Sequence, residues 1–151
     1  MSTETKNDKI LETIEEELLG LEKLITTKVK SVAGRINCEL KESIDLSADA
    51  TSYRQILIDD RTKYYYKLYK LSPAIKKAKK SKFEFYSMKY PIKTNSTEKN
   101  KLIDADMAYY EAKFEFYQTH INFLTESVKT LDHVIYSVKT KVDLYNATGL
   151  D

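Results

Sequence analysis

Glycine and proline are nearly missing from this chain, with 3 and 2 among 151 residues. Sandwiches and barrels need frequent tight turns, so a composition this poor in turn formers excludes them and leaves long helices. Cysteine occurs once, as Cys38, which rules out an intrachain disulfide and any metal knuckle built on paired cysteines. A lone thiol suits a reducing cytoplasm, the expected location. With no histidine beside it in the sequence, Cys38 reads as a small buried residue rather than a nucleophile. There is no run of about 18 apolar residues, and Met1–Lys9 is polar with mixed charge, so neither a membrane span nor a secretion signal is expected. Tryptophan is absent too, yet 12 Tyr and 5 Phe are present.

Acids are scarce in one stretch only. Residues 1–60 carry 8 Lys/Arg against 13 Asp/Glu, a balance of −5. Residues 61–93 carry 11 basic groups against Glu84 alone, +10, and residues 94–151 carry 6 against 9, −3. The net charge of +2 therefore conceals a segregation of sign along the chain. Charge blocked in this way points to a partner surface.

Catalytic chemistry finds little to work with. A Gly-rich phosphate loop is lacking, so any ATP hydrolysis in the process this chain serves belongs to a partner. His120 and His133 fall thirteen residues apart on one expected helix, about 20 Å along its axis, and cannot share a metal. Each reads as a surface or interface histidine. Asp104-Ala105-Asp106 resembles a piece of a metal loop without its later ligands or glycine, and helix capping accounts for it better. No catalytic residue, metal or cofactor is expected, and the chain reads as a non-enzyme.

The apolar residues are periodic. Ile14, Leu18, Leu21, Ile25, Val29, Val32, Ile36 and Leu40 follow at steps of 3 and 4, predicting an acidic amphipathic helix capped by Asp8. Gly20 and Gly34 each cost about 1 kcal/mol inside it. Asp45–Ser52 reads as a connection, after which a helix with Leu57, Tyr64, Leu68 and Leu71 on its buried side is predicted from about Ser52. Ser72-Pro73 marks either a new helix start or a kink. Helix then continues through a lysine-rich stretch to about Tyr90, and the polar residues after it read as a linker. Divided by function, 1–50 is an N-terminal helix and connection, 51–91 a basic aromatic region, 92–101 the linker and 102–149 a C-terminal helix.

That last helix is the most regular. Met107, Tyr110, Phe114, Tyr117, Ile121, Leu124, Val128, Leu131, Ile135, Val138, Val142 and Tyr145 alternate steps of 3 and 4 without a miss, and Gly149 stands where a C-cap belongs. A strict seven-residue repeat drifts around a straight helix unless partners supercoil with it. Self-association through Phe114, Tyr117, Ile121, Leu124, Val128, Leu131, Ile135 and Val138 is therefore expected. The plainer alternative is a helix packed inside its own chain.

The functional candidates lie in the basic stretch. Lys76, Lys77, Lys79, Lys80 and Lys82 are followed at once by Phe83, Phe85 and Tyr86, then Lys89 and Tyr90. Upstream, Lys63-Tyr64-Tyr65-Tyr66-Lys67-Leu68-Tyr69-Lys70 mixes the same two residue types. Ammonium groups neutralise phosphates, and rings stack on bases without choosing among them. Both are useful together only where base faces are free, so single-stranded nucleic acid is the expected ligand. Lys76, Lys77, Lys79, Lys80, Lys82, Phe85, Tyr86 and Lys89 are the expected contacts. A solvated lysine face over a tyrosine core, or a helical scaffold or virion adaptor meeting an acidic protein, stands as the alternative. An anionic membrane fits less well, because the lysines are not confined to one face opposite an apolar stripe.

Lys79-Lys80-Ser81-Lys82-Phe83-Glu84-Phe85-Tyr86-Ser87 resembles the motif L-K-A-R-L-D-Y-Y-S-G of the UvsY family of tailed-phage recombination mediators. On that match Lys80 and Lys82 stand at the basic positions associated with DNA, and Phe85 and Tyr86 at the paired aromatics. Leu102-Ile103-Asp104-Ala105-Asp106 agrees with a second block, and Tyr136-Ser137-Val138-Lys139 followed by Gly149 with a third. Met88 replaces the motif glycine and Lys82 its arginine. The resemblance implies an all-α, elongated protomer in a ring-like homo-oligomer, at work in the host cytoplasm. It also implies a role: binding single-stranded DNA, remodelling its single-strand-binding protein and helping a RecA-like recombinase to load.

Overall fold

Helices begin where a side chain satisfies the first free N–H groups, and in this chain short polar residues do so. Ser2 Oγ accepts a hydrogen bond from the Thr5 N–H at 3.3 Å, and helix α1 runs Thr3–Ala33. Asp8, expected as the cap, lies five residues inside it, because Ser2 already meets the orphan donor. The computed structural model describes residues 2–149, which form two further long helices, α2 (Leu40–Glu84) and α3 (Ser96–Thr148), with no strand among them. None of the described helices is long and apolar enough to cross a membrane.

Three boundaries differ from the sequence expectation. The first helix stops at Ala33 although its apolar spacing continues to Leu40. The Arg35 and Ile36 N–H groups bond three residues back, to Val32 and Ala33, and tighten the chain into a turn. Lys141 Nζ then donates to the carbonyls of Ile36 and Cys38, which the turn leaves without helical partners. Cys38 is half-buried there. Asp45–Ser52, read as a connection, lies inside α2, where Leu46 and Ala50 are fully buried; its acids and serines are the solvent side of an ordinary helical turn. The linker is confined to the few residues before Ser96, because Asn95 and Glu98 form a reciprocal cap. The Glu98 N–H donates to Asn95 Oδ1 at 2.9 Å and the Asn95 N–H donates to Glu98 Oε2 at 3.1 Å. Asp104 and Asp106, expected as caps, are therefore within α3. Pro73 neither starts a helix nor stops one, since α2 passes through it. Gly149 does close α3, with φ at +66° and its N–H donating to Tyr145 O at 2.7 Å.

Contacts divide the chain into two compact units, and every long helix contributes to both. One unit combines α1 up to Leu18 with Tyr64–Thr119; the other combines Leu19–Lys63 with the chain from His120 onward. In the second unit α1 and α2 form an antiparallel hairpin, marked by Arg35 paired with Asp49 at 2.6 Å and Lys28 lying over the Tyr53 ring. There α3 runs antiparallel to α2, through the pairs Arg54–Asp132 and Arg61–Thr125. It is parallel to α1, where His120 Nδ1 donates to Glu22 Oε1 at 3.0 Å.

The regular face of α3 is closed by these neighbours. Ile121, Leu124, Val128, Leu131 and Val138 are buried within the second unit and Tyr117 within the first, while Phe114 and Ile135 are half-buried. Six of the eight residues expected to hold copies together are thus covered by the chain's own helices, and two only in part. The intramolecular alternative accounts for their spacing. A helix held between two partners buries a wider stripe than a two-stranded seam, and His120, Ser127 and Val134 extend the stripe sideways. His120 is 1% exposed, so it is a core residue bonded to Glu22 and not a surface or interface histidine. His133 is exposed, as expected.

Two measurements check this packing. Leu124→Ala, at a position with no exposure, should cost about 2–5 kcal/mol in urea unfolding, with a midpoint that stays constant over a hundredfold range of protein concentration. A midpoint that climbs with concentration would put the seam between copies. Pro73→Ala restores a helical N–H and should stabilise by about 2 kcal/mol, the helix penalty of proline less its entropic benefit in the unfolded chain.

Candidate nucleic-acid interface

Within the first unit, α2 has an inner and an outer side. Tyr64, Leu68, Leu71, Ile75, Ala78 and Lys82 follow at steps of 3 and 4, and all are buried or half-buried. The outer side repeats the same arithmetic. Tyr65, Tyr69, Ser72, Lys76, Lys80 and Phe83 share one face, and all but Ser72 are exposed. Tyr69 is 75% exposed and Tyr65 and Phe83 each 52%, unusual values for rings in a folded chain. Tyr66, Lys70 and Lys77 form a second exposed row on the same helix. At 1.5 Å per residue, the face from Tyr65 to Phe83 extends about 27 Å.

Several ammonium groups already lie over rings. Lys70 Nζ is 4.6 Å from the Tyr66 ring centre, and Lys99, from α3, is 5.1 Å from that of Phe83. Lys67 is near two rings, Tyr64 at 4.9 Å and Tyr117 at 5.3 Å. The contacts at Tyr66 and Phe83 hold rings and charges together while leaving much of each ring accessible, whereas Lys67 covers rings of the inner side. Pro73 adds a local feature: lacking an N–H, it leaves the carbonyl of Tyr69 without its usual helical donor, beside the most exposed ring of the face.

The eight expected contacts separate into two groups. Lys76, Lys77, Lys79, Lys80 and Lys89 are exposed, and so is Phe85, at 41%. Lys82 and Tyr86 are turned the other way. Tyr86 Oη donates to Asp106 Oδ2 at 2.6 Å, and Lys82 Nζ lies 3.6 Å from the same oxygen. Both continue the inner row, Lys82 four residues after Ala78 and Tyr86 four after Lys82. From Phe85 the helix widens into a π-helical turn, Phe85–Lys89, closed by the Tyr90 N–H on Phe85 O at 2.9 Å. The extra residue per turn brings Phe85, Tyr86 and Tyr90 into an edge-to-face cluster, with centroids 5.0–6.0 Å apart. Lys82 and Asp106 also line an open cleft of about 600 Å³, with Glu4 and Asp8 of α1 on its other wall.

Tyr65, Tyr66 and Tyr69 were not among the expected contacts, although the spacing that put Tyr64 on the buried side left these three facing outward, as they do. No cluster of three or more His, Cys, Asp or Glu that could hold a metal is present among the described residues. The chain matches no protein-family model, no curated protein and no solved structure.

The hydrogen bond to Asp106 is the main reason the Tyr86 hydroxyl is pushed up to about 12, with burial and the nearby carboxylate charge acting in the same direction. The fold favours the neutral phenol, so this contribution to stability is complete below the usual tyrosine value of 10.0 and is lost as pH rises toward 12. Absorbance titration of tyrosinate should show one ring ionising near pH 12 that Tyr86→Phe removes. If every ring of the native protein has ionised well before that pH, the Tyr86–Asp106 bond is not formed in solution.

Proposed function

We propose that this chain is a non-enzymatic protein that binds unpaired nucleic acid, single-stranded DNA above all, along the outer face of α2. The observation that carries the proposal is that one solvent-facing side of a single helix presents exposed rings, Tyr65, Tyr69 and Phe83, together with the exposed ammonium groups of Lys76 and Lys80. A duplex hides its base faces and would leave Tyr65, Tyr69 and Phe83 without a task. A single strand uses both sets, phosphates to lysine and bases to rings, without sequence preference. Arg61 is the only arginine between residues 43 and 93 besides Arg54, so the bidentate reading of base edges that duplex recognition favours has few candidates.

Within that reading the biological role is that of a recombination mediator, which helps a RecA-like recombinase to load on strands covered by single-strand-binding protein. Support for this narrower role is the resemblance of three sequence blocks, in order, to the UvsY family. Phe85 and Lys80 are the motif positions available to a strand; Lys82 and Tyr86 are held by Asp106. A ring of copies would raise the effective concentration of individually weak contacts. Such a ring has to be built from surfaces other than Ile121, Leu124, Val128, Leu131 and Val138.

Titration of labelled oligothymidine at several salt concentrations tests the binding reading. Affinity should fall by about 0.7 log units per phosphate contact for each tenfold rise in salt. Lys80→Ala should remove about one such contact, and Tyr69→Ala should weaken binding about 5- to 150-fold with little change in the slope. Absence of binding at low salt would remove the proposed function. Binding that is indifferent to both substitutions would move the site elsewhere.

A further inference from the structure

The Lys82–Asp106–Tyr86 contact takes one lysine out of an otherwise free row. Lys76, Lys77, Lys79 and Lys80 are exposed, whereas Lys82 faces a carboxylate on α3 and lines a cleft whose other wall carries Glu4 and Asp8. The pair is not locked, for its 3.6 Å separation is long for an ion pair and both side chains keep 31–44% of their exposure. Asp106 thus occupies, relative to Lys82, the place an anionic phosphate oxygen would take. Lys82 itself belongs to the inner row, but it stands one helical turn past the exposed Lys79 and keeps 44% of its side-chain exposure, beside the lysines proposed to meet the strand.

We propose that Asp106 is a built-in competitor for the strand. In the free protein it holds Lys82 as an internal stand-in for phosphate, and binding of single-stranded DNA transfers Lys82 from Asp106 to the nucleic-acid backbone. This inference rests on the single-strand reading above and adds a control to that same site. The exchange is made easy by the local backbone. Lys82 is in the last helical turn before the π-helical segment Phe85–Lys89, where the hydrogen-bond ladder is already irregular. Tyr86 keeps Asp106 in place when Lys82 leaves, since its hydroxyl bond to the carboxylate does not depend on the lysine. The carboxylate therefore remains ready to recapture Lys82 when the strand departs. The contact thereby lowers affinity, which suits a protein that must release its strand to another.

A double-mutant cycle on oligothymidine binding separates competition from a general field effect. Asp106→Asn should tighten binding about two- to fivefold, the range of an exposed ion pair, and steepen the salt dependence by about 0.7 log units per decade. In a Lys82→Gln background the same substitution should change affinity by less than about 1.5-fold. An equal gain in both backgrounds, or no gain in either, overturns the proposal. As a check independent of any variant's folding, the Lys82 side-chain ammonium of the unaltered protein can be followed by nitrogen-detected magnetic resonance. Its signal should shift on addition of oligothymidine, and an unmoved signal under saturating strand overturns the proposal as well. Failure of the unaltered protein to bind oligothymidine would instead remove the function on which the proposal rests.

Discussion

Burial of α3 between two other helices is the constraint from which most of this structure follows. In the second unit its stripe is two residues wide at every second turn, His120-Ile121, Ser127-Val128 and Val134-Ile135, and it needs a partner on each flank. α1 and α2 supply them as an antiparallel hairpin, joined by a turn whose stray carbonyls are satisfied by Lys141. Burying His120 would be costly without a partner, and Glu22 provides one. The result is a helix whose regular apolar spacing is used inside the chain at most of its positions, from Tyr117 to Val138.

The first unit holds fewer buried apolar residues among those described, five against twelve, with Leu18, Leu68, Ile103, Met107 and Tyr117 as its core. Its α2 segment therefore has a narrow inner side and a broad outer one. Eleven basic residues and one acid between positions 61 and 93 leave that outer side strongly positive, and the tyrosines cannot all fit inward. Rings that would normally be buried remain in solvent beside ammonium groups. Exposed aromatic surface of this kind is a standing cost unless a ligand covers it, and in the proposed function base faces supply that cover.

Polar contacts at the helix ends refine the picture. Asn95 and Glu98 cap each other and fix where α3 starts, while the π-helical turn redirects the residues after Glu84. Helical register divides one sequence motif into two uses. Phe85 and Lys80 face outward, and Lys82 and Tyr86 engage Asp106. A carboxylate that holds both a phenol and an ammonium group is at once a clasp on the turn and a rival for phosphate.

Much of this was legible in the residues alone. Scarce glycine and proline together with 3-and-4 spacing sufficed for an all-helical chain, and Gly149 for the end of α3. Charge segregation located the basic stretch, and most of its lysines are exposed. Other features were not legible. Apolar spacing is identical for a helix that packs on its own chain and one that packs on a copy, so only the folded chain revealed what covers Leu124 and Leu131. The register of Leu46 and Ala50 overrode a polar stretch that resembled a loop, because burial depends on which residues of a turn face inward and not on their average polarity. Likewise, no spacing rule foretold that Lys82 and Tyr86, on the inner row of α2, would meet Asp106, twenty or more residues away. Periodicity and charge are local properties that a sequence carries by itself; which partner covers a face, and which charge meets which, depends on how distant segments come together.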